Sequence, residues 1–240
     1  MDNDAPEITT PTIAFIHGAW SNSGSWEPLR TLLEAGGAAT VSLDLPSVDR
    51  GDGAELGDMH ADAEAIRSLI DGIAGPVVAV AHSYGGVPTT EALAGAKNVA
   101  HVIYVAAFML DKGQSLLGAV GGKEPPVWRT SDDGRLVELA DPVHVIYPDC
   151  PPDVAEAAAA QLLPHARIAF TQELRAACWH DIPTTYVVCD NDVAVPPQAQ
   201  EGMAQHARAV RHLASAHTPF LSHTAELAAV IQETVASLPA

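Results

Sequence analysis

The chain has 240 residues, 48% of them hydrophobic and 18% charged: enough apolar content for a sizeable core, and too little charge for a disordered chain. Thirty acidic against twelve basic side chains give a formal net charge of -18, which repels phosphate backbones and anionic lipid. Neither a nucleic-acid nor a membrane partner is therefore expected, and no run approaches the roughly 20 apolar residues of a membrane span.

Residues 1–11 are acidic and lack the basic-then-apolar order of a secretory signal. Cys150, Cys178 and Cys189 make an odd number in a long chain, so reduced thiols in a cytoplasmic protein are expected. A Cys150–Cys178 bridge is permitted by the sequence but not demanded. Aromatic residues are only 5% of the chain, which predicts an aliphatic core.

In chain order, the first apolar run is Ile13–Ile16, followed by His17-Gly18-Ala19-Trp20. A helix is predicted over Trp26–Glu34, with Ser25 as cap, Pro28 in its first turn and Gly36-Gly37 ending it. A strand at Thr40–Leu43 precedes a helix over Met59–Ile73. The run Val77–Ala81 then leads through His82-Ser83-Tyr84-Gly85-Gly86 into a helix over Pro88–Ala96. Strands follow at Val102–Ala106, Thr185–Cys189 and Ala209–Leu213, with helices over Gln198–His206 and Thr224–Ser237. Runs without polar alternation, separated by helices, predict a doubly wound, mostly parallel α/β sheet in a single domain over residues 1–240.

One stretch departs from this alternation. Residues 110–180 carry Gly/Pro-rich connections, a Ser131-Asp132-Asp133-Gly134 turn and helical patterns at Val154–Leu163 and Phe170–Ala177. An insertion of that length is too long for a loop and predicts a small helical cap over the carboxyl edge of the sheet, where open α/β sheets bind ligands.

The strand-to-helix segment around Ser83 carries the strongest chemical signal. A strand running into x-x-Ser-x-Gly and then a helix puts the serine on a sharp turn, with its hydroxyl clear of the sheet. Ala81 stands where such turns usually have a leading glycine. Acyl transfer also needs N–H donors for the developing oxyanion. Tyr84, the residue after the nucleophile, supplies one, and Ala19, in the loop after the first strand, is assigned the other.

Among eleven histidines, His217 lies in a loop between the last strand and the last helix, where it can serve Ser83 as base. His60, His165, His206 and His212 are read as solvated, His223 as part of a helix cap, and His82 as pointing away from Ser83. For the acid that orients the base, both Asp190 and Asp192 follow a strand, with Asp111 a third choice.

These segments together resemble the α/β-hydrolase superfamily along nearly the whole chain. The resemblance is greatest to the compact branch of plant methylesterases, hydroxynitrile lyases and small bacterial esterases. It rests on His17-Gly18-Ala19-Trp20, Trp26-Glu27-Pro28-Leu29, Leu43-Asp44-Leu45-Pro46, Ala81–Gly86, Asp190-Asn191-Asp192 and His217-Thr218-Pro219-Phe220. The resemblance places the acid on Asp192 and the oxyanion donors on Ala19 and Tyr84. The order Ser83, Asp192, His217 is also that superfamily's order.

Lyases of this branch carry a lysine after the catalytic histidine and a threonine in the oxyanion loop. Thr218 and Gly18 hold those places here, which disfavours cyanohydrin cleavage. The expected function is a serine esterase cleaving small to medium apolar carboxylic esters or lactones through an acyl-enzyme. The alternatives are carbon–carbon bond hydrolysis, lyase chemistry, or a low-turnover receptor on the same fold. Trp20, Trp128, Trp179 and Phe220 are the expected substrate-binding residues, with Phe108 and Met109 beside them. Zinc, phosphate-loop, dinucleotide and EF-hand signatures are missing, so neither metal nor cofactor is expected. A homodimer is allowed.

Overall fold

The computed structural model describes residues 10–239, so most of the amino-terminal stretch read for a secretory signal lies outside the described residues. The chain opens with β1 (Thr12–Ile16), α1 (Glu27–Ala35), β2 (Thr40–Leu43), α2 (Met59–Asp71), β3 (Val77–His82), α3 (Gly86–Ala92) and β4 (Val99–Val105). An insertion follows, containing α4 (Leu116–Ala119), β5 (Trp128–Thr130), β6 (Leu136–Leu139), α5 (Pro142–Val145), α6 (Pro152–Ala159) and β7 (His165–Ala166). The chain then completes the sheet with β8 (Thr184–Cys189), α7 (Pro197–Ala204), β9 (Ala209–Leu213), α8 (Pro219–Ser222) and α9 (Thr224–Ala236).

The central sheet has the order β2-β1-β3-β4-β8-β9, and every pairing in it is parallel. Alternate residues of its strands serve two cores. Ile13, Phe15, Val78 and Val80 pack against Leu29 and Leu33 of α1 and Leu227 and Ile231 of α9. Ala14, Ile16, Ala79 and Ala81 face Met59, Ile66 and Ile70 of α2 and Val87 of α3. The period of two along each strand thus separates two apolar layers, which is why these runs read as continuously hydrophobic. The chain builds outward from β1 to β2, then crosses back to place β3 on the other side of β1. That reversal opens a crevice at the carboxyl ends of β1 and β3.

Ser25 does not cap α1. A 3₁₀ turn over Ser23–Trp26 precedes the helix, and Asn22 caps that turn by accepting the Gly24 N–H. Gly37, at φ +89°, ends α1 as its position predicts. Asp58 caps α2, accepting the Ala61 N–H.

The cap is only partly helical. β5, β6 and β7 form an antiparallel sheet, and the Ser131–Gly134 turn closes the β5–β6 hairpin. The helix expected over Phe170–Ala177 is missing. A 3₁₀ turn over Arg167–Phe170 gives way to extended chain whose Leu174 N–H donates to the Gln114 carbonyl and whose Leu174 carbonyl accepts the Gly113 N–H. All three cysteines are free, so the allowed Cys150–Cys178 bridge is not formed.

Candidate active site

β3 ends at His82, and Ser83 turns at φ +51°, in the left-handed region a serine seldom occupies. A 3₁₀ turn over Ser83–Gly85 runs directly into α3. Only glycine fits the turn's neighbours: a Cβ on Gly85 would collide with the His17 carbonyl oxygen, and one on Gly86 would lie 2.7 Å from the Phe108 carbonyl oxygen. The Phe108 N–H also donates to the Ser83 carbonyl at 3.0 Å. These contacts hold a conformation that costs on the order of 1–3 kcal/mol when unsupported.

The loop after β9 carries His217, whose Nδ1–H donates to Asp192 Oδ2 at 2.7 Å. That bond fixes the tautomer and leaves Nε2 as the basic nitrogen. Asp192 is buried and accepts three further bonds, from the Ala194 and Val195 N–H groups and from Gln200 Nε2. His82 Nε2–H donates to the His217 carbonyl at 2.9 Å, so the residue beside Ser83 anchors the backbone of the base. Burial holds the His82 ring neutral, with its pKa well below the ordinary value.

Ser83 and His217 open onto one cavity of about 210 Å³, together with Ala19 and Tyr84. Phe108, Leu116, Val127, Trp128, Leu139, Ile146 and Phe170 supply most of the remaining wall. Among the described residues, no aspartate, glutamate, lysine or arginine lines it. A larger open groove of about 580 Å³ between α6 and the start of α1 contains none of the reactive side chains, so chemistry rather than size selects the smaller cavity.

The profile of the alpha/beta hydrolase family matches residues 13–230. The chain belongs to that family. A probable hydrolase, R7, of a Phoma species is 28% identical over 202 residues, covering 81% of this chain and 83% of that protein. Among solved structures, a pyrethroid hydrolase from Sphingobium faniae superposes with a TM-score of 0.82 at 23% identity, covering 95% of this chain and 98% of that one. A methylesterase from Arabidopsis gives 0.80 at 23% identity, covering 95% and 100%. At such identity the structural likeness concerns the fold.

In this alpha/beta hydrolase, the two aspartates left open by the strand-end pattern have different partners. Asp192 holds His217, whereas Asp190 accepts from His212 Nδ1 at 2.8 Å on the exposed edge. Asp111 pairs with His180. Trp20 and Trp128 line the cavity, their rings edge to face at 5.7 Å.

Trp179 and Phe220 do not line it. The Trp179 indole donates to the Leu110 carbonyl and stacks on His206, pinning the end of the cap to the turn after α7. Phe220 lies behind the site, packed on Trp26 and the His82 ring in the core layer under α1 and α9. Thr218, in the place of the lyase lysine, turns away and donates to the Ile146 carbonyl.

Two of the histidine readings need correction. His165 is buried, not solvated, because β7 carries it under the loop after β1, where it accepts the Trp20 N–H. His60 is likewise mostly enclosed, its Nδ1 paired with Glu91 Oε1 at 2.8 Å. His223 does hold the cap position of α9, where its carbonyl accepts the Leu227 N–H, though without a side-chain capping bond. Three further residues escaped sequence reading. Gln200, on the buried face of α7, bridges Asp192 to the Cys189 N–H and the Val195 carbonyl. Asp62, on the buried face of α2, accepts from Ser47 Oγ, the Ser47 N–H and Tyr84 Oη. Burial pushes the Asp62 carboxyl up to about 6 against those bonds. A polar residue on an otherwise apolar helix stripe was the available signal for Gln200 and Asp62; Ser47 offered none.

Proposed function

We propose that the protein is a serine hydrolase of carboxylic esters or lactones of small to medium apolar substrates, acting through an acyl-enzyme. The observation that carries this reading is one apolar cavity bearing a serine on a left-handed elbow and a histidine tied to a buried aspartate. His217 Nε2 takes the Ser83 Oγ proton while Asp192 stabilises the imidazolium. Ser83 Oγ attacks the carbonyl carbon, and the Ala19 and Tyr84 N–H groups receive the oxyanion. His217 returns the proton to the leaving alcohol, and water then releases the acid by the reverse steps. The structural neighbours include a methylesterase, so the fold accommodates such chemistry.

The cavity argues for a neutral substrate. With no cation in its wall and a net charge of -18 around it, an anionic ester gains no ion pair and meets a repulsive field. A cyanide leaving group would likewise lack a cation, since Lys97, Lys112 and Lys123 do not line the cavity.

The test is turnover of p-nitrophenyl esters of graded acyl length, with a serine-directed phosphonate mapped by mass spectrometry. Burst release, a single label at Ser83 and loss of both in Ser83→Ala are expected, along with negligible cyanide from mandelonitrile. A label elsewhere with Ser83 untouched, or cyanide release exceeding ester turnover, would sink the reading.

A further inference from the structure

Behind the cavity floor runs a buried polar chain that the ester mechanism does not use. Its four members, Tyr84, Asp62, Ser47 and His165, are all fully buried and come from four separate segments. Tyr84 Oη–H donates to Asp62 Oδ2 at 2.6 Å. Ser47 donates twice to the same carboxylate, from its N–H to Oδ1 at 2.8 Å and from its hydroxyl to Oδ2 at 2.5 Å. Ser47 Oγ lies 2.9 Å from His165 Nε2, and His165 Nδ1 lies 3.3 Å from the Trp20 backbone nitrogen. A backbone nitrogen can only donate, so Nδ1 is the acceptor and the proton sits on Nε2, donated to Ser47. Every hydroxyl direction along the chain is thereby determined.

The two ends of this chain are informative. One is the phenol of Tyr84, whose own backbone N–H is an assigned oxyanion donor. The other is the N–H of Trp20, the residue following Ala19, which carries the second donor. Trp20 sits at φ +62°, a left-handed conformation that a bulky residue does not hold unaided. Cap residues hold it from three directions. His165 takes its N–H, the Leu163 N–H donates to its carbonyl at 2.7 Å, and its indole N–H donates to the Val137 carbonyl at 2.8 Å. The cap strand is in turn fastened to the loop after β2, because Ala166 N–H donates to the Ser47 carbonyl and Asp49 N–H to that of Pro164.

A buried carboxylate without a cation is expensive, and removing either end would leave it more so. Core packing alone would be served better by apolar residues of the same volume. What the polar chain supplies, and apolar packing would not, is a fixed seat for the Tyr84 ring and for the peptide joining Ala19 to Trp20, which belong to the two segments carrying the assigned donors.

We infer that His165, Ser47 and Asp62 are positioning residues that set the Ala19 and Tyr84 N–H groups, so that the oxyanion pocket is completed by the cap. This rests on the ester-hydrolase reading above. Misaligned donors weaken the transition state but not ground-state binding, so kcat falls while KM holds.

The experiment uses the full chain with His165→Phe, His165→Asn and Tyr84→Phe. Each is assayed for kcat, for KM and for inhibition by an alkyl trifluoromethyl ketone, whose Ser83 adduct carries the oxyanion. Removal of a whole donor lowers kcat by about 10² to 10³, so displacement in His165→Phe and Tyr84→Phe should lower it by about 10 to 100. Ketone affinity should fall in parallel, with KM within about twofold. His165→Asn, which keeps an amide oxygen for the Trp20 N–H, should recover most of both. Should His165→Phe not fold, Tyr84→Phe, which deletes a single oxygen, carries the test alone. Folded variants with unchanged kcat and ketone affinity would overturn the inference while leaving the ester reading intact. Wild-type protein without Ser83-dependent turnover would overturn both.

Discussion

At the scale of single residues, the site is organised by which aspartate each histidine finds. His217 and His212 both approach the segment after β8, and the segment offers both a carboxylate. The buried one, Asp192, is surrounded by four donors, so its charge is satisfied and its orientation fixed. The exposed one, Asp190, makes a surface pair of small energetic consequence. If Asp192 orients the base, Asp192→Asn should lower kcat by up to about 10⁴, as loss of the correct tautomer does elsewhere. Asp190→Asn should leave kcat within about threefold, since a surface pair is worth about 0–1 kcal/mol. Steady-state kinetics on one p-nitrophenyl ester compares them, and a severe Asp190 effect with a mild Asp192 effect would reverse the assignment.

At the scale of elements, β3 and α3 meet at a turn built from close backbone approaches. Gly85 and Gly86 are there because β1 and the chain after β4 pass within contact of the turn. Gly85→Ala should lower stability by about 1–3 kcal/mol or more through overpacking. Gly202, inside α7 with open space around it, provides the contrast: Gly202→Ala should raise stability by about 0.5–1 kcal/mol. Urea titration monitored by circular dichroism decides both. Equal effects at the two positions would mean that close approach is not what the elbow glycine serves.

The same elements show what was legible beforehand. Ser83 directly follows β3, and Asp192 and His217 lie three and four residues past β8 and β9. Strands buried on both faces announce themselves as apolar runs, so these neighbourhoods were readable, although the strand-end pattern left Asp190 and Asp192 both open. The expected strand at Val102–Ala106 overruns β4 by one residue because Ala106, though apolar, has already left the extended region at φ +44°. It starts three residues late because His101 interrupts the apolar run. The segment after Phe170 has helix-forming residues, but its backbone pairs with the chain near Gln114, and that tertiary pairing overrides propensity. The cap strands are two to four residues long, too short to carry a period. Asp62, Ser47 and His165 meet their partners across 15 to 145 residues, and no local pattern encodes such a meeting. Trp179 and Phe220 were misplaced because being aromatic and near the site does not say on which side of it a ring turns.

For the whole molecule, buried histidines dominate the response to acid. Burial pushes His17 and His101 down to about 4, and His82 and His165 well below their ordinary value. An unfolded chain binds those protons near pH 6.5, and the folded chain does not. Stability present above about pH 6.5 is therefore lost as pH falls toward 4, on the order of 3 kcal/mol for fully buried His17 alone. Asp62 works the other way: with its folded value raised to about 6, its contribution improves as pH falls from about 6 toward 4. Relief of the repulsion among thirty acidic groups also favours the fold on acidification. At 0.15 M salt that repulsion is screened beyond about 8 Å, whereas buried rings are not screened, so the histidines prevail. Calorimetry at that salt concentration should show Tm falling steadily between pH 6.5 and 4.5. A flat or rising Tm would show the histidines to be less enclosed than they are placed here.

The insertion leaves the sheet after β4 and returns at β8, two strands that lie side by side. Chain topology thus makes the cap a cassette, exchangeable without re-threading the fold, and a natural unit for chimeras that aim at a new acyl preference. The bonds from Leu163 and His165 to Trp20 limit that freedom. A donor cap brings the cavity wall with it, but it also replaces the groups that hold the loop after β1 in shape. Grafts should therefore be designed as matched pairs, with the segment equivalent to 163–166 inherited together with its partners at Trp20 and Ser47. In an unmatched graft, specificity and rate would separate: the new wall would choose its substrate, and the catalyst beneath it would have lost its alignment.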